Sequence, residues 1–186
     1  MVFVVRLVHV NGPPGIGKST LARRYVDEHV GVLNLDIDLL RGLIGGWRER
    51  FAEVGEIVRP LALGMAAEHL RGGRDVVLPQ YLARSAEIER FEAVAQENGA
   101  EFVEVMLLDT RQRSVERFAR RGGDGDPVWH AQVKEIVRRE GGEDFLAGAY
   151  DQLTEIIRHR PAITVLTSEE GAVERTFGEL VSLLRS

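Results

Sequence analysis

Nine residues near the start of the chain, Gly12-Pro13-Pro14-Gly15-Ile16-Gly17-Lys18-Ser19-Thr20, bring together what is needed to grip a polyphosphate. Glycines allow backbone angles and close approaches that a side chain forbids. Successive amides can then turn inward as an anion nest. The spacing G-x-x-x-x-G-K-S directs the Lys18 ammonium to the β- and γ-phosphates of a nucleoside triphosphate and the Ser19 hydroxyl to Mg²⁺. Thr20 is assigned a further phosphate contact. The stretch lies between an apolar, β-branched run at 2–10 and a helical pattern at 19–29. A loop in that context also gains the positive end of the helix dipole. Gly12, Pro13, Pro14, Gly15, Ile16, Gly17, Lys18, Ser19 and Thr20 are therefore assigned to the nucleotide, with ATP and Mg²⁺ as the expected cofactors.

Two further stretches carry chemistry. Asn34-Leu35-Asp36-Ile37-Asp38 follows a short apolar run. Alternation puts Asp36 and Asp38 on similar sides of extended chain, and in a parallel sheet ligands gather outside the carboxyl ends of the strands. One carboxylate there can accept the proton of an attacking hydroxyl, and the other can hold Mg²⁺. Asp38 also reads as the cap of the helix that follows it. The segment from Asp109 to Gly122 carries Arg111, Arg113, Arg117, Arg120 and Arg121. The last four follow helical spacing, so three or four guanidiniums share a face. Arginine's planar fork suits phosphate oxygens and stabilises charge on a moving phosphoryl group.

The elements that must position these groups alternate in kind. Strands are predicted at 2–10, 32–35, 75–78, 102–108 and 162–166. Helices are predicted at 19–29, 38–53 with an interruption at Gly45-Gly46, 57–70, 83–98, 111–121, 129–139, 145–158 and 172–184. Such alternation argues for an α/β protein with a five-stranded parallel sheet flanked by helices. The polar run 122–127 reads as a hinge, and the helical material between the fourth and fifth strands as a small helical lid at about 120–145.

The order of these motifs resembles the small-molecule kinases of the P-loop superfamily: shikimate kinase, gluconate kinase, chloramphenicol phosphotransferase and the zeta-toxin-like kinases of the AAA_33 type. That resemblance implies the P-loop NTPase fold. It also implies transfer of the γ-phosphate of ATP to a hydroxyl on a small molecule such as a sugar or an antibiotic. Shikimate kinases carry an Asp-x-Asp where this chain has Asp36-Ile37-Asp38. By that likeness Asp38 is the general base and Asp36 the Mg²⁺-side carboxylate, although the two roles can be exchanged. The family's Arg-x-x-x-Arg at the opening of the lid matches Arg117 and Arg121. The resemblance gives Arg117 to the adenine or phosphates and Arg121, or Arg120, to the transferring phosphate. The loop after the last strand, Leu166 to Glu169, passes the adenine in related kinases. One departure is the third strand, which ends in Pro79-Gln80 and lacks the acidic residue with which P-loop hydrolases hold Mg²⁺. This favours a kinase over an ATPase motor.

Composition narrows the remaining choices. The chain has 186 residues, which suits a single domain. A net charge of −5 argues against a nucleic-acid partner. There is no cysteine, so disulfides and thiolate metal sites are excluded. The histidines at 9, 29, 69, 130 and 159 lack zinc-type pairing and read as packing or surface residues. The N-terminal run is too short and too soon broken for a signal peptide or membrane span, so the expected location is the cytoplasm, as a monomer or homodimer with no membrane partner. Arg41, Gln80, Tyr81 and Arg84, with Trp47 and Arg48, are candidates for the acceptor side; the aromatics can stack on a ring, and Arg41 or Arg84 can hold an anion. Packing is the other reading of each aromatic. Alternative functions are a nucleoside or nucleotide kinase, a nucleotide-operated switch without phosphotransfer, and a toxin-like kinase acting on a sugar nucleotide.

Overall fold

The strand that leads into the glycine-rich loop is also the one on which both halves of the sheet are built. β1 (Arg6–Asn11) pairs in parallel with β3 (Val76–Leu78) on one side and with β4 (Glu101–Leu108) on the other. β2 (Leu33–Asn34) lies outside β3, and β5 (Thr164–Thr167) lies outside β4, so the order is β2-β3-β1-β4-β5. The computed structural model describes residues 4–120, 128–139 and 141–185. The chain runs outward from β1 to β2, returns to β3 beside β1, then crosses to β4. The crevice at the carboxyl end of β1 is therefore where such a sheet binds ligands.

Eight helices are seen among the described residues: α1 (Lys18–Glu28), α2 (Ile37–Arg41), α3 (Phe51–Arg71), α4 (Ser85–Glu97), α5 (Arg111–Arg120), α6 (Val128–Arg139), α7 (Glu143–His159) and α8 (Val173–Arg185). The strands read as continuous apolar runs because both of their faces are covered. Leu7, Val76, Leu78 and Met106 pack against Val58 and Ala62 of α3, Ile88 and Phe91 of α4, and Leu153 of α7. Val8, Val10, Val77, Val105 and Leu107 point the other way, onto Leu21 and Tyr25 of α1 and onto Phe177 and Leu180 of α8. A separate small cluster, Phe118, Val137 and Leu146, joins α5, α6 and α7 over the end of the sheet that carries the loop. Among the described residues no helix is long and apolar enough to cross a membrane.

The main correction to the expected elements lies between β2 and β3. The expected helix at 38–53 is two pieces: α2 stops at Arg41, turns fill most of the interval, and α3 begins at Phe51. The second expected helix starts six residues early and runs straight through Pro60. Its buried face, Val54, Gly55, Val58, Ala62, Ala66 and Leu70, is continuous on both sides of the proline. Core packing along that stripe outweighs the one hydrogen bond that proline removes. β2 has only two residues because only Leu33 and Asn34 find partners, opposite Val76 and Val77.

His9 sits in the middle of β1, 1% exposed, with Nε2 3.0 Å from the carbonyl oxygen of Gln80. Burial, helped by the charges of Lys18 and Arg160, lowers its pKa to about 4 against the bond to Gln80. The neutral ring then donates from Nε2 and ties β1 to the loop after β3. Between pH 6.5 and about 4 the unfolded chain binds a proton that the folded chain refuses, so stability falls as pH falls through that window. At 1.36 kcal/mol per unit the loss attributable to His9 is about 3 kcal/mol. His9→Gln keeps a donor for the carbonyl and cannot titrate. Urea unfolding at pH 7 and pH 4.5 should show a smaller stability difference for His9→Gln than for the wild type; equal differences would show that His9 is not the group responsible.

Candidate active site

β1 ends at Asn11, and this side chain seats everything that follows. Asn11 Oδ1 accepts from the amides of Gly12 (2.8 Å) and Leu82 (3.2 Å), while Nδ2 donates to the carbonyl of Leu82 (2.9 Å). One buried amide thus joins the start of the glycine-rich loop to the loop after β3. Gly12 follows at φ +150°, and a Cβ there would lie 2.6 Å from the carbonyl oxygen of Leu107 on β4. Only glycine allows so close an approach. The loop closes at Gly17, φ +110°, the N-cap of α1. That cap has no side-chain hydrogen bond, and the first turn of α1 carries no acidic residue. Among the described residues, the helix therefore presents its positive end to the loop without a capping carboxylate. Lys18 Nζ arches over the loop and donates to the carbonyls of Gly12 (2.9 Å) and Pro13 (3.0 Å).

The far side of the loop is held by β5 and α5. Ser168 Oγ donates to the carbonyl of Ile16 (2.9 Å), and Arg117 Nη1 donates to the carbonyl of Ser168 (2.8 Å). A Cβ at Gly17 would be 3.4 Å from Arg117 Nη2, so this guanidinium lies directly against the loop. Burial pulls the Arg117 pKa below the usual arginine value, which leaves a poorly hydrated cation for an anion to meet. Arg113, Arg117 and Arg120 line a second cavity of about 460 Å³ together with Asp109, Glu116, Glu169 and Glu170. Arg120 is paired with Glu170 at 2.6 Å, and Arg113 lies 3.7 Å from Asp109 and 3.8 Å from Glu169. The cap of α5 is Thr110, whose Oγ1 accepts from the amide of Arg113 at 3.2 Å.

The two aspartates have different surroundings. Asp36, 4% exposed, is the N-cap of α2 and accepts from the amide of Asp38 at 3.1 Å. The cap is thus Asp36, not Asp38, because the helix begins at Ile37. The Ser19 hydroxyl also bonds to the Asp36 side chain. Burial first, and the charge of Asp38 second, push the Asp36 pKa up, while the Ser19 and backbone hydrogen bonds oppose the rise. Asp38 is half-buried and faces a cavity of about 300 Å³. The floor of that cavity is the loop itself, from Pro14 to Thr20. Arg41, Phe51 and Arg59 form one side, Pro79, Gln80 and Tyr81 another, and Phe118, Val133, Lys134, Ile136, Val137 and Phe145 the cover. Gln80 Oε1 is buried at this wall with no hydrogen-bond partner among the described residues. Tyr81 donates to Gln152 Oε1 at 3.0 Å, and burial pushes its hydroxyl up to about 12.

Of the residues predicted from sequence, Lys18, Ser19, Thr20, Asp38, Arg41, Gln80 and Tyr81 line this one cavity, with Asp36 behind Ser19 and Arg117 against Gly17. Arg84 is not brought there. It is exposed at the start of α4, paired with Glu87 at 2.6 Å, because its backbone belongs to the cap of that helix. Trp47 packs against the core and Arg48 lies over its ring at 4.8 Å, so neither reaches the cavity. Arg121 and the hinge 122–127 lie outside the described residues. Sequence reading did not single out Asn11, Phe51, Arg59, Phe118, Lys134 or the Ser168 hydroxyl as site residues. Of these, only Asn11 carries a local signal: it is a polar side chain at the end of an apolar strand.

The donor set fits Mg²⁺, which takes oxygen ligands, is commonly held by one or two carboxylates, and completes its shell with phosphates and waters. Ser19 and Asp36 offer a hydroxyl and a carboxylate at the edge of the loop. Among the described residues no group of three or more His, Cys, Asp or Glu forms a closed metal cage.

A parallel sheet in this order, with a glycine-rich loop and a lysine at the carboxyl end of its central strand, defines a protein of the P-loop NTPase fold. A family model designated AAA_33, described as an AAA domain, matches residues 7–140, and the chain belongs to that family. Several solved structures share the fold over nearly their whole length. A gluconokinase from Sinorhizobium meliloti 1021 is similar at a TM-score of 0.60 and 19% identity, covering 100% of this chain and 96% of that one. The Deinococcus radiodurans tunicamycin resistance protein is similar at 0.59 and 18%, covering 97% and 95%. A protein of Chloroflexus aurantiacus j-10-fl, described as a candidate kinase, is similar at 0.67 and 14%, covering 100% and 98%. No curated protein matches the sequence.

Asp36 is expected to cost stability for the sake of the site. Asp36→Asn keeps the acceptor for the amide of Asp38 and offers Ser19 a partner, without a buried charge. In EDTA this variant should melt a few degrees above the wild type, and the stabilisation that Mg²⁺–ATP brings should shrink. Thermal unfolding under both conditions checks this. A lower Tm in EDTA would mean that the carboxylate is stabilised where it stands.

Proposed function

We propose that the protein is an ATP-dependent kinase that transfers the γ-phosphoryl group to a hydroxyl of a small molecule. One observation carries the reading: Asp38 opens onto the same cavity whose floor is the glycine-rich loop. A phosphate held by the amides at the start of α1, with Lys18 above it, faces an acceptor lying against Asp38. The acceptor oxygen attacks the γ-phosphorus, a new P–O bond forms, and the bond to the bridging oxygen breaks so that ADP leaves. The acceptor's proton passes to the Asp38 carboxylate. Lys18 and Arg117 stabilise the charge spread over the phosphate oxygens. Ser19 and Asp36 would hold Mg²⁺, which when bound neutralises phosphate charge.

The cavity also favours one kind of acceptor. A nucleotide acceptor demands cations with charge to spare, yet Arg41 is paired with Asp38 at 3.3 Å, and Arg59 with Glu56 and, at 3.1 Å, with Glu87. The described cover is mostly apolar, through Phe118, Val133, Ile136, Val137 and Phe145, with Lys134 donating to the carbonyl of Ala119. Gln80 Oε1 has no donor among the described residues. These features favour an uncharged alcohol that carries an apolar or ring-shaped body and a second O–H or N–H group. The whole chain is taken as one catalytic domain, with the helical cover near 120–145 as its lid.

ADP release measured against sugars, amphipathic alcohols of the antibiotic type, nucleosides and nucleotides tests this. At least one uncharged alcohol should raise release above the basal rate. Asp38→Asn should lower the acceptor-dependent rate by about 100-fold or more with ATP affinity little changed, whereas Lys18→Ala should lose ATP binding. Tight ATP binding without any productive acceptor would favour a nucleotide switch.

A further inference from the structure

We propose that Arg41 is a positioning residue for Asp38, and that Gly55, in the middle of α3, is the position that admits it. The proposal rests on the reading of Asp38 as the proton acceptor. Asp38 sits in the first turn of α2, a helix of five residues followed mostly by turns. So short a helix does not hold its own geometry. Ile37 seats its backbone in the core and Asp36 caps it, and what holds the Asp38 side chain is Arg41. Its Nε donates to Asp38 Oδ1 (3.3 Å), its Nη1 donates to the carbonyl of Phe51 at the start of α3 (2.7 Å), and its guanidinium lies 4.0 Å over the Phe51 ring. Arg41 is 8% exposed. The catalytic carboxylate is thereby fastened to a 21-residue helix that is itself anchored in the core. One oxygen of Asp38 takes the guanidinium, and a carboxylate has a second with which to accept a proton. The expected use of Arg41, to hold a substrate anion, gives way to this internal one.

Gly55 makes the seat. A Cβ built there would lie 2.9 Å from Arg41 Nη1, 3.2 Å from Nη2 and 3.5 Å from Cζ. The group in the way is the end of a flexible side chain, so a side chain at position 55 would not unfold the protein; it would push the guanidinium out of its notch. Glycine in a helix interior is otherwise unfavourable relative to alanine. The same helix supplies a control in Gly64, where a built Cβ meets nothing within 4 Å.

The test uses the full chain labelled with ¹⁵N-arginine, together with basal ADP release from Mg²⁺–ATP, with water as acceptor. The Arg41 Nε–H resonance, assigned by its loss in Arg41→Lys, should be protected from exchange in the wild type and in Gly64→Ala, and should lose that protection in Gly55→Ala. Arg41→Lys and Gly55→Ala should each lower kcat about 10-fold or more with the KM for ATP nearly unchanged. Gly64→Ala should keep the wild-type rate and raise Tm. In an Asp38→Asn background Gly55→Ala should have no further effect, because the two changes act through one interaction. A protected resonance in Gly55→Ala, or an unchanged kcat once the protection is lost, overturns the proposal. Asp38→Asn measured alone separates the two claims. If its rate is that of the wild type, the proton-acceptor reading fails and Arg41's role fails with it. If its rate falls and that of Gly55→Ala does not, only Arg41's role fails.

Discussion

The contact between the backbone of Gly12 and the carbonyl of Leu107 is the constraint on which the rest of the site depends. Two neighbouring parallel strands, β1 and β4, come so close at their carboxyl ends that no side chain fits between them at that point. The chain leaving β1 must therefore turn over the edge of the sheet, and α1 begins with its uncapped end facing the crevice. An anion held there is satisfied by backbone amides and a helix dipole, neither of which can move away or titrate. Asn11 on one side and Ser168 with Arg117 on the other brace that turn against the neighbouring loops.

Around this fixed positive site the carboxylates are graded by burial. Asp36 is deeply buried, bonded to Ser19 and to backbone, and costly to ionise; a cation beside it would relieve that cost. Asp38, two residues on, opens to the cavity and is balanced by Arg41. The same Asp-x-Asp thus yields two carboxylates of unlike character, which is the condition for giving them separate tasks. The cavity's cations are nearly all engaged by protein partners: Arg41 and Arg59 by carboxylates, Lys134 by the carbonyl of Ala119. The wall around Asp38 is charged in composition, but its arginines are balanced by neighbouring carboxylates.

Much of this was legible in the chain before folding. The loop 12–20 and the aspartates after β2 are local patterns that the fold brings to one crevice; of the arginines, Arg117 lies against the loop, Arg113 and Arg120 lie beside acidic residues, and Arg121 is outside the described residues. The acceptor side was read less well. Arg84 is close in sequence to Gln80 and Tyr81, but it belongs to the cap of α4, and the turn between them sends it outward to Glu87. For Trp47 the packing reading holds: half-buried, it lies against the core from the turns between α2 and α3. The interruption expected at Gly45-Gly46 falls in the turns between α2 and α3, whereas the gap expected between 53 and 57 is closed by the buried stripe of α3.

Taken alone, the sequence determined the kind of sheet, the glycine-rich loop and the residue types that meet it. These depend on periodicity and on backbone freedom within a few neighbouring residues. Only the tertiary structure decided which charges are spent. Arg41 is held by Asp38 and by a carbonyl ten residues on in a notch left by Gly55, and Asn11 reaches across 71 residues to Leu82. The availability of a charge depends on who sits within a few ångströms of it and on how much water is excluded, and neither is written in the order of the residues.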